Sequence, residues 1–283
     1  MDRWLFLHVM KTAGTSFRAM LEEGLGAAVY PSDAEVRAQP HGWYYDADTL
    51  FRLIDGGRLD LGSRQMVCGH YAARLVEVLP AHLPGRWRTV TFLRDPVART
   101  LSMISHSAKY RPGIPGLRRF RKVNIGRALA DPGFIESQVR NYQAKVFAMD
   151  PTGDVNAPFA VDAASFRRAR AALEAADVVG LTERLEPSIR LFEATSGIAV
   201  AESVPQRNVS RGYNATDEEL ERVRALVPWD IELYELAREK LERDLRAAFG
   251  DRFAAAEGRA ADRPDRPDPA ASAAGAAPSA PGA

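Results

Sequence analysis

The chain has 283 residues, 46% of them hydrophobic and 27% charged, enough apolar side chain to bury a core for one α/β domain or two small ones. A formal net charge of +1 argues against broad electrostatic adhesion to nucleic acid, so partners have to be sought in local clusters. No run reaches the roughly 20 apolar residues of a bilayer span, and the amino terminus opens into a strand-like run rather than a signal sequence, so a cytoplasmic protein without a membrane span is expected.

Residues 4–9 form a short β-rich run that stops at a loop of small and polar residues, 10–16. Phe17, Met20 and Leu21 then fall at helical spacing, and Gly24 stands where that helix would end. Strand, loop and helix in this order are the front half of a βαβ unit. Cys68, the one cysteine, has no partner for a disulfide or a thiolate metal site and reads as a small buried apolar residue. It lies in the run 65–68, which with 89–93 and 177–181 supplies further short strands, each followed by a segment that can be helical, so a mostly parallel sheet is expected.

Asp95 and Pro96 read as an N-cap and first helical residue. Val97, Leu101 and Ile104 give the following helix a buried face and leave Arg99, Ser102 and His106 off it. Thr216 and Glu219 form a capping box, and Pro228 separates that helix from a longer one carrying Tyr234, Ala237, Leu241, Leu245 and Phe249 on one side. One domain over 1–254 is expected. From 255 to 283 the chain is Ala, Pro, Gly, Asp and Arg with almost no large apolar side chain, the composition of a disordered tail.

The stretch from His8 to Ser16 places Lys11, Thr12, Ala13, Gly14, Thr15 and Ser16 between a strand and a helix. Amides at a helix amino terminus point outward with the positive end of the dipole, the hydroxyls add donors and Lys11 adds a full charge, so a phosphate group can be cradled there. A serine and threonine cap would explain Thr15 and Ser16 but not Lys11. The order also differs from the nucleotide triphosphatase loop G-x-x-x-x-G-K-[ST], in which lysine follows the last glycine. Further on, Arg94 ends a strand and Ser102 sits two turns into the next helix, so both can converge on one phosphate. The plain alternative is an Arg94 paired to a nearby carboxylate.

Together these two stretches resemble the sulfotransferases that use 3′-phosphoadenosine 5′-phosphosulfate. The first is similar to their 5′-phosphosulfate loop, commonly K-T-G-G-T-S, with Met10 where proline is frequent and Ala13 in place of the first glycine. That alanine is tolerable at negative φ and costs free energy otherwise. The second is similar to their 3′-phosphate motif. The resemblance extends to weaker segments at 179–184 and 230–237, and is closest to the carbohydrate-type, heparan sulfate 2-O-sulfotransferase-like enzymes. It implies a P-loop NTPase-like parallel sheet flanked by helices, the phosphosulfate donor as cosubstrate and no metal.

Transfer to a hydroxyl needs a base, and imidazole suits neutral pH. Of five histidines, His70 follows Gly69 at the end of an apolar run, and this Gly-His pair resembles the family's base segment. His106 is the rival, one turn beyond Ser102, where it can lie past the donor. His8 reads as a core histidine, and His41 and His82 have no supporting pattern.

Arg118, Arg119, Arg121 and Lys122 around Phe120 form a basic strip that suits either an anionic acceptor or a solvated flap. Gln138, Arg140, Asn141 and Gln143 suit an acceptor contact or a helix surface equally. Asn208 and Ser210 are placed by the same resemblance on a late loop returning to the donor. The acceptor itself, a carbohydrate first and a lipid or small metabolite otherwise, is not written in the sequence. Two other activities compete: an ATP-dependent small-molecule kinase, and a non-catalytic nucleotide-binding module.

Overall fold

The computed structural model describes residues 2–32, 35, 47–57, 64–109, 124–200 and 215–250. The expected tail, His41, Asn208, Ser210 and the basic strip around Phe120 lie outside the described residues.

Five strands, β1 (Arg3–Leu7), β2 (Val29–Tyr30), β3 (Met66–Gly69), β4 (Trp87–Leu93) and β5 (Val178–Leu181), form one parallel sheet in the order β2-β3-β1-β4-β5. Trp4, Leu5, Phe6 and Leu7 are consecutive and all buried, as a strand covered on both faces requires. β2 went unread in the sequence because two residues carry no periodicity. From β1 the chain builds outward on one side through β3 and on the other through β4, so β1 marks the point where the strand order reverses. Ligands in open parallel sheets settle outside the carboxyl ends of the strands at such a point.

The helices are α1 (Gly14–Leu25), α2 (Ala47–Asp55), α3 (Leu75–His82), α4 (Pro96–Lys109), α5 (Tyr142–Ala148), α6 (Ala163–Ala175), α7 (Leu185–Ser196), α8 (Asp217–Leu226) and α9 (Pro228–Phe249). Short turns at Ile125–Ala128 and Pro132–Phe134 and a π turn at Ile135–Val139 join α4 to α5. Among the described residues no helix is long and apolar enough to cross a membrane.

Phe17 of α1 anchors the first helix to the sheet: its ring lies 4.9 Å from Phe6, 4.8 Å from Phe92 and 5.2 Å from Phe192 of α7. Truncating such a buried ring costs about 3 to 5 kcal/mol, so the start of α1, and the loop before it, is held rigidly over β1 and β4. A smaller cluster of Leu101, Met103, Ile104, Phe134, Val139, Val223 and Val227 packs α4 against the short turns and α8.

Three expectations are corrected. Gly24 lies inside α1, where an added Cβ would stand 2.7 Å from the Ala199 carbonyl oxygen, and the helix stops instead at Gly26 with φ 53°. Phe249 is exposed at the end of α9, beyond the buried row of Ala237, Leu241 and Leu245. α4 is buried on more than the expected face, since Arg99 is 0% and Ser102 5% exposed. The turns between α4 and α5 supply the additional cover.

Candidate active site

Leu7 pairs with Gly69 on one side and Thr91 on the other, which sets the carboxyl ends of β1, β3 and β4 nearly level. His8, His70 and Arg94 therefore leave the sheet on a common edge.

After β1 the chain turns through Lys11 at φ 69° and Ala13 at φ 63°, both left-handed and neither glycine. Ala13 thus adopts the conformation that favours the glycine of the resembled loop, at the cost the sequence foresaw. Thr12 is buried and its Oγ1 donates to the Val9 carbonyl at 2.8 Å. Its hydroxyl closes the loop from inside, which corrects its expected role as an outward donor. Gly14 is obligatory for a different reason: a Cβ there would stand 1.9 Å from Cδ2 of the His8 ring. Ser16 and Phe17 donate their amides to the Ala13 carbonyl, whereas no backbone acceptor among the described residues takes those of Ala13, Gly14 and Thr15. Thr15 is exposed and Ser16 half-buried, so amides and hydroxyls together offer an anion cradle at the head of α1.

Arg94 follows β4 directly. Its amide donates to Oε1 of Gln143 at 3.0 Å, its carbonyl accepts from Nε2 of Gln143 at 2.8 Å, and its Nη1 donates to the Lys11 carbonyl at 3.4 Å. No carboxylate lies within 4.0 Å of its guanidinium among the described residues, so the plain ion-pair alternative is not what holds it. Asp95 caps α4 as expected, its Oδ1 accepting from the Ala98 amide at 2.7 Å. Ser102 lies two turns on, buried, and makes no hydrogen bond to Arg94.

His70 stands one residue past β3, half-buried, with Nδ1 2.6 Å from the His8 carbonyl oxygen. A carbonyl only accepts, so Nδ1 carries the proton and Nε2 is the basic nitrogen of the neutral ring. Burial pushes its pKa down to about 4, the bond to His8 offsetting part of the loss. The His8 ring stacks 5.6 Å from Phe6 and 4.4 Å from His70, and its own pKa is lowered by burial and by the His70 beside it. His8 is a core histidine, as expected. His106 is not beyond the site: its Nδ1 is 3.5 Å from Nζ of Lys11. His82 pairs with Asp55 at 2.9 Å, on α2 and α3, away from the loop. Cys68 is fully buried and its thiol is pushed up by burial, which fits an inert core residue.

No protein-family model matches the chain, and no curated protein matches it.

Sequence reasoning missed the side chains that hold this site. Gln143 does not face an acceptor; fully buried, it clamps the Arg94 backbone. Buried Asp230 of α9 accepts from the amides of Gln143 at 3.2 Å and Ala144 at 2.7 Å, and burial raises its pKa to about 6. Asn141, left-handed at φ 46°, accepts from the Trp229 amide at 2.9 Å. Arg140 instead pairs with Glu136 on the surface. Lys145 is fully buried, donates to the Ser137 and Ala157 carbonyls, and has its pKa lowered to about 7 by burial. Among these, the polar run 138–143 and the segment 230–237 left a trace in the sequence, but not the roles of their residues. Among the described residues no group of three or more His, Cys, Asp or Glu is arranged as a metal cage.

Proposed function

We propose that the chain is a sulfotransferase on a P-loop NTPase-like fold, moving a sulfuryl group from 3′-phosphoadenosine 5′-phosphosulfate to an acceptor hydroxyl, a carbohydrate in the first instance. One observation carries this reading. Arg94 reaches the carbonyl of Lys11 at 3.4 Å across 83 residues of sequence, so the two anion-binding stretches meet at one sheet edge. Neither would need the other if Lys11 served an ordinary cap and Arg94 an ordinary ion pair.

The residues present fit a nucleoside that bears phosphate on both the 3′ and the 5′ oxygen of its ribose. The amides of Ala13, Gly14 and Thr15 with the Thr15 and Ser16 hydroxyls face a 5′-phosphate, Lys11 neutralises the charge that grows on its bridging oxygen, and Arg94 with Ser102 takes the 3′-phosphate. His70 accepts the proton of the acceptor hydroxyl at Nε2 as the new S–O bond forms and the old one breaks. Rate enhancement then comes from alignment and charge stabilisation. Lysine before the glycine, rather than after it, favours this donor over ATP.

A thermal shift decides between donors. A ligand at one hundred times its Kd adds about 2.7 kcal/mol, a rise of roughly 5 to 10 °C for a domain of this size. Adenosine 3′,5′-bisphosphate is expected to give that rise and ATP with magnesium to give none; the reverse pattern sinks the proposal in favour of a kinase. Incubation with labelled sulfate donor and extracts of the source cells, read by mass spectrometry, then identifies the acceptor. Donor binding with no sulfated product across a broad panel would point to a binding module.

A further inference from the structure

Arg99 is fully buried on α4, yet no carboxylate lies within 4.0 Å of its guanidinium among the described residues. Its Nε donates to the Met10 carbonyl at 3.1 Å and its Nη1 to the Gln138 carbonyl at 2.5 Å. The guanidinium carbon sits 3.9 Å from the centroid of the Tyr142 ring, and Nη2 has no hydrogen-bond partner. Burial pushes its pKa down to about 10, which leaves it charged at neutral pH. A buried cation without a direct counter-charge is expensive, and an apolar side chain of similar volume would pack in its place without that cost.

What Arg99 holds gives the charge a purpose. Met10 immediately precedes Lys11, the first left-handed residue of the loop, and Gln138 belongs to the π turn Ile135–Val139. One planar fork on α4 therefore joins two segments 128 positions apart in the sequence. Arg94 repels the Arg99 charge, and buried Asp230 of α9, farther off than an ion pair, offsets part of its cost. A lysine could supply the charge but not the two-carbonyl fork.

We infer that Arg99 is a positioning residue that ties the Lys11 loop to the 135–139 turn, so that filling the loop with a polyanion stiffens the turn as well. The ligand half of this inference rests on the donor reading; the tie between the two segments does not.

Hydrogen exchange on the full chain tests both halves. In Arg99→Lys and Arg99→Gln, amides in 10–16 and in 135–141 are expected to exchange about tenfold faster than in the wild type, the scale of one lost charge-assisted hydrogen bond, while α6 is unchanged. Adenosine 3′,5′-bisphosphate is expected to slow both segments in the wild type and only 10–16 in the variants. Wild-type exchange at both segments in either folded variant overturns the inference. Should the variants fail to fold, exchange of the wild type in sub-denaturing urea replaces them: one shared opening step supports the tie, and two openings with different urea dependence overturn it. If the wild type binds no bisphosphate the donor reading fails, and the basal exchange still decides the role of Arg99.

Discussion

The Nδ1 of His70 lies 2.6 Å from the carbonyl oxygen of His8, three residues before Lys11. β3 and β1 are paired neighbours, so this bond is a continuation of their ladder by a side chain. It fixes the tautomer of the ring and ties the direction of the basic nitrogen to the same backbone that shapes the anion cradle.

His70→Ala is expected to abolish transfer and to leave the affinity for adenosine 3′,5′-bisphosphate within about twofold, because general-base catalysis contributes about 10² to 10⁴ to rate and nothing to ground-state binding. Parallel measurement of turnover and of bisphosphate binding checks this. Normal turnover in the variant removes His70 from the mechanism.

The depressed pKa of His70 has a consequence for stability. Between the ordinary value of 6.5 and about 4 the unfolded chain binds a proton at this site that the folded chain refuses, so stability declines as pH falls through that window. Asp230, raised to about 6, acts in the opposite sense: its contribution is full at low pH and is lost as pH rises through 6. The stability of the wild type relative to His70→Gln, read from urea midpoints, should therefore fall as pH is lowered from 7 to 4.5, whatever Asp230 contributes to both. An identical pH dependence in the two proteins would show that the ring titrates normally in the folded state.

Lys11 donates toward Nδ1 of His106 at 3.5 Å, which makes Nδ1 the accepting nitrogen of that ring. Lys11→Ala is expected to lower turnover about 10² to 10³-fold, the scale of one lost transition-state donor, with little change in thermal midpoint because the side chain is only half-buried. His106→Ala is expected to lose less than about tenfold, since it removes a neighbour of the charge and not the charge itself. Comparable losses in both variants would make His106 a base in its own right.

The parallel sheet, the cap at Asp95 and the capping box at Thr216 were written in local sequence, because short apolar runs, helical spacing and cap chemistry each act over a few residues. So were Lys11, His70 and Arg94, which stand at strand ends where the chain must stop burying apolar side chains. Gln143, Asp230 and Arg99 were not. Each works through a partner 49 to 89 positions away, and a buried glutamine or arginine looks like a surface residue until tertiary packing closes over it. Thr12 failed in the other direction, its hydroxyl being drawn inward by a carbonyl three residues back.

Ala13 holds φ 63° and ψ 6° at the N-cap of α1. A left-handed non-glycine residue costs about 1 to 2 kcal/mol, and glycine gives back about 0.5 to 1 kcal/mol through its freer unfolded state. Ala13→Gly should therefore stabilise by about 0.5 to 1 kcal/mol, a rise of roughly 1 to 4 °C in Tm. Gly14→Ala, which places a methyl group against the His8 ring, should lower Tm and disturb His70 as well. A clear fall in Tm for Ala13→Gly contradicts the left-handed loop.

Gln143→Met keeps the side-chain volume and removes both polar atoms that face the Arg94 backbone. The Arg94 amide and carbonyl would then lose their partners in a largely buried setting, which costs about 1 to 3 kcal/mol, and Arg94 would no longer be pinned where β4 delivers it. Binding of adenosine 3′,5′-bisphosphate should weaken along with the thermal midpoint, whereas His82→Ala, which breaks the pair with Asp55 away from the loop, should leave bisphosphate binding unchanged. Calorimetry on the two variants separates the cases: if Gln143→Met loses stability but binds the bisphosphate as tightly as the wild type, the glutamine braces the fold without aiming Arg94.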